Sequence, residues 1–238
     1  MRRAVAFLTP FGVSGTPTAT TLAWFPLVGA AIGLLVGGVW WLAAKAWVAL
    51  LAGAVAVIAD LAITGLLHFD GLADAGDGLI APMPRTRRLE VMADPAIGAF
   101  GSIAVGAVLL LRWGAFASLR PAPLVVAGLW CASRTSMIAI TEFLPYARTT
   151  GLVRSFLGAD GRQRALKRGA IVAGVALSAG LVLIGRGLHG LAALGAELLA
   201  IALVAAFSRH RLGGYTGDVL GAAGVVGETI GLLILATR

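Results

Sequence analysis

From Leu22 to Ala44 no residue carries a charge, and a helix needs about 20 apolar residues to cross the hydrocarbon core of a bilayer. Six more stretches meet much the same requirement, giving 22–44, 46–67, 97–119, 121–141, 170–186, 187–207 and 219–236. In lipid every backbone N–H and C=O must find a partner inside the protein, which leaves the α-helix as the spanning element for runs of this length. The chain is therefore expected to be an all-α integral membrane protein, a bundle of about seven transmembrane helices forming one domain over 1–238. If 170–207 is one broken unit, the count is six. Composition excludes the other classes. Only 13% of residues are charged and 59% are hydrophobic, about half the charge of a soluble domain and the reverse of a disordered composition. The lone Cys131 and three scattered histidines rule out a disulfide framework and a cysteine-rich zinc site.

The net charge of +8 is sorted by side. Segments on one side of the spans hold Arg2, Arg3, Arg85, Arg87, Arg88, Arg148, Arg154, Arg162, Arg164, Lys167, Arg168, Arg209 and Arg211; the other side holds Lys45, Arg120, Arg186 and Arg238. Thirteen against four is the bias of basic residues toward cytoplasmic loops. It places the N-terminus in the cytoplasm, the C-terminus outside, and the chain as a multi-pass protein of the cell (inner) membrane. No nucleic acid is expected as a partner, since that would line arginines along a soluble face; loop arginines such as Arg162 and Arg164 suit membrane lipid headgroups. Arg2 and Arg3 look like the start of a signal peptide, but Pro10, Gly12 and Pro17 interrupt the apolar stretch that should follow. Within the first span Gly29, Gly33 and Gly37 recur every four residues, a seam where another helix can approach closely.

Directly after the second span, the segment from His68 to Gly78 carries Asp70, Asp74 and Asp77. In a helix these three fall within an arc of about 60° at 100° per residue. Like charges on one face repel, and more strongly as the dielectric falls at a membrane edge. A divalent cation removes the conflict, and an all-oxygen ligand set favours Mg²⁺, Mn²⁺ or Ca²⁺. Mg²⁺ takes one or two carboxylates together with phosphate oxygens and waters. Asp94 offers a fourth carboxylate. The plainer reading is an acidic loop with one aspartate capping a helix.

Cations for an anionic ligand share that side. Arg88 lies between the acidic segment and Asp94, and Arg148 and Arg154 follow the fourth span. Arg134 lies inside that span, where a charge faces the bundle interior and meets either a phosphate or a structural ion pair. Arg112 either does the same or snorkels outward. Asp60, Glu197 and Glu228 also fall within spans, as functional groups or as hydrogen-bonded structural ones. The loop Gly213-Gly214-Tyr215-Thr216-Gly217-Asp218 precedes a helix whose N-terminus can hold an anion; Asp218 caps that helix or adds a carboxylate.

The run His68-Phe69-Asp70-Gly71-Leu72-Ala73-Asp74-Ala75-Gly76-Asp77-Gly78-Leu79 resembles the signature of the cobalamin synthase (adenosylcobinamide-GDP ribazoletransferase) family. The likeness continues through Arg88-Leu89-Glu90-Val91-Met92-Ala93-Asp94 with Gly98 and Gly101. It also takes in Phe25-Pro26-Leu27-Val28-Gly29 with Gly33, Pro145-Tyr146-Ala147-Arg148 with Gly151-Leu152, and Gly213 to Asp218 with Gly221-Ala222. Phe7-Leu8-Thr9-Pro10 fits loosely. The resemblance implies a Mg²⁺-dependent membrane transferase that joins α-ribazole, or its 5′-phosphate, to adenosylcobinamide-GDP with GMP leaving, from a cytoplasmic-face active site. It implies metal and diphosphate at Asp70, Asp74, Asp77 and Asp94. On that reading Arg88, Arg134, Arg148, Thr216 and Asp218 contact substrate, and Asp94 or Asp77, or less readily His68, accepts the hydroxyl proton. A homo-oligomer stays open. Two rivals remain: a CDP-alcohol phosphotransferase, whose motif opens with two residues between its first aspartates rather than the three between Asp70 and Asp74, and a small-molecule transporter.

Overall fold

The computed structural model describes residues 1–11, 18–148 and 161–237. Arg154 and the Gly151-Leu152 pair lie outside the described residues. The described residues fold into helices joined by short turns, with one isolated β-bridge. The helices are α1 (Arg2–Leu8), α2 (Ala19–Leu22), α3 (Phe25–Ala46), α4 (Ala49–Thr64), α5 (Leu67–Ala75), α6 (Arg85–Val91), α7 (Ala99–Ser118), α8 (Pro123–Phe143), α9 (Gly161–Leu212) and α10 (Gly217–Leu235). A π-helical turn, Gly76–Ile80, continues α5. The helix that contains α3, together with α7, α8, α9 and α10, is long and apolar enough to cross a membrane.

α8 is the axis of the bundle, buried along almost its whole length from Val125 to Thr141. The glycine seam of α3 lies against it. A Cβ at Gly29 would strike the Trp130 carbonyl and the Arg134 side chain, one at Gly33 the backbone of Val126 and Ala127, and one at Gly37 Pro123. The sequence-predicted seam therefore serves close helix packing.

α9 is two arms. At Arg186 (φ −147°, ψ 15°) and Gly187 (φ 60°, ψ −143°) the backbone leaves helical geometry. A Cβ at Gly190 would meet the Val182 carbonyl, although eight residues of straight helix span about 12 Å. The chain doubles back, and the expected boundary between the fifth and sixth spans falls at this reversal. Arg186 Nη2 donates to the Arg120 carbonyl at 2.6 Å, so these two basic residues share one end of the bundle as the charge pattern requires. Arg85, Arg148, the α9–α10 turn and the N-terminal segment gather at the opposite end, where Gly213 packs on Arg85 and Gly65 on Pro10.

The second span departs from expectation. Rather than continuing to 67, α4 stops at Thr64, and the chain bends by 93° into α5. Gly65 (φ 59°) and Leu66 (φ 63°) make the bend. α5 is thus a separate inclined helix. It packs along the start of α10, with Gly71 against Asp218 and Gly221 against His68, and it reaches the start of α7, with Gly76 and Ala73 against Gly101.

The bundle core is also held by charge. Arg112 is fully buried and points inward, pairing with Asp60 and with Glu228 (2.9 Å) while donating to the Val225 carbonyl (2.8 Å) and Thr229 Oγ1 (3.1 Å). Arg134 pairs with Glu228 from the other side, and the Trp130 indole donates to Asp60 at 2.9 Å. Two guanidiniums and two carboxylates form a neutral network linking α4, α7, α8 and α10. Asp60 and Glu228 therefore have the hydrogen-bonded structural role. Glu197 is buried, and its carboxylate oxygens have no hydrogen-bond partner among the described residues.

Candidate active site

Three segments far apart in sequence converge at the end of the bundle that carries Arg85 and Arg148. Pro145–Ala147 and Gly214–Thr216 form a two-residue parallel bridge. Tyr215 N–H donates to the Pro145 carbonyl (2.9 Å) and Ala147 N–H to the Tyr215 carbonyl (2.8 Å), with the Tyr146 and Tyr215 rings 5.4 Å apart. The bridge delivers Arg148 to the first turn of α10, where Nη2 lies 3.0 Å from Asp218 Oδ2 and 2.9 Å from the Met92 carbonyl. α5 supplies the third segment. Together they line a cavity of about 520 Å³ whose wall includes His68, Asp70, Gly71, Tyr146, Arg148, Gly217 and Asp218. α1 and the residues after it complete the wall with Ala6, Phe7, Thr9 and Pro10. Phe7 and Tyr146 are wall residues for which the sequence offers no site role, only a place in the family likeness, loose at Phe7–Pro10 and closer at Pro145–Arg148.

Charge at this cavity is mixed. Half-buried Asp74 lies in the field of Asp218, Asp70 and Asp77, in descending order, with Arg148 opposing them. The Asp218 carboxylate is held by Arg148 and by a 3.2 Å hydrogen bond from Thr216 Oγ1, at a helix N-terminus that favours negative charge. Asp70 is exposed at the wall.

The aspartate stripe is not continuous. At Gly76 the helix widens from α to π, so Asp77 leaves the line of Asp70 and Asp74 and turns to α7. Its oxygens accept from Gly98 N–H (2.7 Å) and Gly101 N–H (2.9 Å), capping the start of α7 at a distance. A Cβ at Gly98 or Gly101 would meet this carboxylate at 2.5 Å, which explains why both positions are glycine. Asp94 is exposed, and its Oδ1 accepts from Ala96 N–H at 2.9 Å in its own turn. The four expected metal ligands Asp70, Asp74, Asp77 and Asp94 are thus not assembled: among the described residues no three acidic, histidine or cysteine side chains form a ready-made metal centre.

Other predicted substrate contacts are placed differently. Arg88 is 3% exposed and donates to the carbonyls of Gly78 (2.6 Å) and Leu79 (3.0 Å), closing the π turn. Arg134 is 1% exposed, held by Glu228 and, at 2.7 Å, by Ser133 Oγ. Thr216 is buried and caps α10, its Oγ1 accepting from Val219 N–H at 3.3 Å. None of these three contributes to the cavity wall. His68 does, although it is 4% exposed and its Nδ1 has no hydrogen-bond partner among the described residues.

Comparison with known proteins takes in nearly the whole chain. A family model described as cobalamin-5-phosphate synthase matches residues 1–236. A protein of Chlorobium phaeovibrioides named adenosylcobinamide-GDP ribazoletransferase is 37% identical over 232 residues, covering 94% of this chain and 92% of its own length. Proteins of the same name from Citrobacter koseri and Desulforamulus reducens are each 36% identical, covering 89% and 96% of this chain and 85% and 92% of their own. No solved structure matches the chain.

Proposed function

The chain belongs to the cobalamin-5-phosphate synthase family, and from that membership we propose that it is an adenosylcobinamide-GDP ribazoletransferase acting as one domain over 1–238. The reaction forms a bond between a ribazole hydroxyl oxygen and the corrinoid-linked phosphorus, breaks the bond from that phosphorus to GMP, and releases the hydroxyl proton. The observation that carries the reading is the convergence of the 68–71, 146–148 and 217–221 segments on one cavity.

The diphosphate repels a nucleophile until its charge is neutralised. The donors near the cavity fit Mg²⁺ bound together with a diphosphate, because that ion needs only one or two carboxylates beside phosphate oxygens and waters. Asp70 and Asp74 would hold it, and it would supply charge neutralisation to the diphosphate. Arg148 offers guanidinium N–H groups to anionic oxygens, and Asp218 fixes its direction. Asp77 and Arg88 act at one remove, fixing α7 and the π turn, while His68 seats α5 under α10. The thirteen basic residues on this side support a cytoplasmic placement of the site.

The test offers the purified protein Mg²⁺ with adenosylcobinamide-GDP plus α-ribazole, or with a CDP-alcohol plus a lipid acceptor. GMP release with a cobalamin product is expected. CMP release, or solute flux without turnover, would overturn the assignment.

A further inference from the structure

The wall of the cavity has two characters. Asp70, Arg148 and Asp218 line it together with Thr9, Thr64, His68 and Tyr146, whereas the larger part of its surface is apolar, with Ala6, Phe7, Leu67, Met137 and Leu220. A volume of about 520 Å³ lies in the range that encloses a drug-sized ligand, about 300–1,000 Å³. It suits a nucleoside and is too small for a corrin macrocycle with its amide arms. The two nucleosides of the reaction differ in kind. Guanine presents a carbonyl, an exocyclic amine and a ring N–H, and against the apolar part of the wall these groups would go unpaired at a cost. The acceptor nucleoside carries a carbon-rich fused aromatic base with no such groups.

We propose that this cavity is the seat of the acceptor nucleoside's apolar base, with its sugar directed to the charged residues Asp70, Arg148 and Asp218, and that α1 sets acceptor specificity through Phe7. α1 is well placed for this. Phe7 stacks on Phe25 at 5.6 Å, and Pro10, just beyond the helix, packs on Gly65 at the α4–α5 bend, so α1 is anchored to α3 and the segment after it to the bend. Ala6 also lines the cavity, and a larger side chain there would fill it. The proposal deepens the ribazoletransferase reading and rests on it.

Two variants act in opposite ways: Phe7→Ala removes part of the wall, and Ala6→Phe occupies the space while leaving Phe7 in place. Steady-state kinetics in liposomes would vary each substrate at saturating levels of the other. Both variants are expected to raise KM for α-ribazole by about tenfold or more, Phe7→Ala by losing an aromatic contact and Ala6→Phe by filling the space the base needs, while KM for adenosylcobinamide-GDP stays within about twofold. Phe7→Ala should also narrow the preference for a benzimidazole riboside over a purine riboside. An unchanged α-ribazole KM in both variants, or an increase confined to the corrinoid substrate, would overturn the inference. Calorimetric binding of α-ribazole to wild type and Ala6→Phe, without corrinoid, separates the two readings. Binding lost in Ala6→Phe supports the cavity assignment even if no turnover occurs, and equal binding by both proteins defeats it even if turnover is normal.

Discussion

The three aspartates of one short segment do different work, and the difference is testable residue by residue. Asp74, one helical turn from the wall residue Asp70, sits among like charges, whereas Asp77 holds backbone N–H groups at the start of α7. Asp74→Asn keeps shape and removes charge. It should cut turnover by about 10²-fold, the lower range for losing one electrostatic contributor, with thermal unfolding in detergent unchanged. Asp77→Asn weakens hydrogen bonds to a charged acceptor, contacts that contribute about 1.5–3 kcal/mol each, and its first effect should be a lower unfolding temperature. A stable, inactive Asp77→Asn protein would return that residue to the chemistry. The spacing of Asp70, Asp74 and Asp77 was legible in sequence. The widening at Gly76 that splits them was not, because a π turn depends on what packs against it, here Gly101 and Met92.

At the scale of elements, hydropathy located the spans because lipid demands unbroken helix, and it placed the α9 reversal within a residue. It overran at α4, since Gly65, Leu66 and Leu67 are as apolar as a span and only their backbone angles announce the bend. It also said nothing of α1 as a wall of the cavity, because that contact joins segments remote in sequence. The reversal depends on one residue. Gly187 has φ 60° and ψ −143°, a region that side chains with a Cβ avoid. Gly187→Ala should destabilise the protein by about 1–3 kcal/mol, read as a lower temperature for loss of the monodisperse species in detergent. No change would mean that the two arms are positioned by their packing on α8 and α10 alone.

The whole bundle is tied across its interior by Arg112, which joins Asp60 on α4 to Glu228 on α10. Removing one partner of a buried ion pair leaves an uncompensated charge. Arg112→Leu should therefore cost about 3–5 kcal/mol of stability, with part recovered when Asp60→Leu is added, a coupling that a double-mutant cycle measures. Additive losses would show that the two groups do not act as a pair. Its place inside a span foretold that Arg134 faces inward, whereas Arg112 was left between an inward and a snorkelling arrangement, and which charges would meet was not legible, since α4, α7, α8 and α10 come together only in the finished fold. The hairpin within α9 has a further consequence for the chain's parity. By turning one long apolar stretch into a there-and-back pair, it leaves α10 to begin beside the tyrosine bridge and to end with Leu235 near Arg120 and Arg186. Reporters fused at the two ends of this chain would then report from opposite compartments, and deleting a single arm of that hairpin would invert α10 and carry Asp218 away from Asp70.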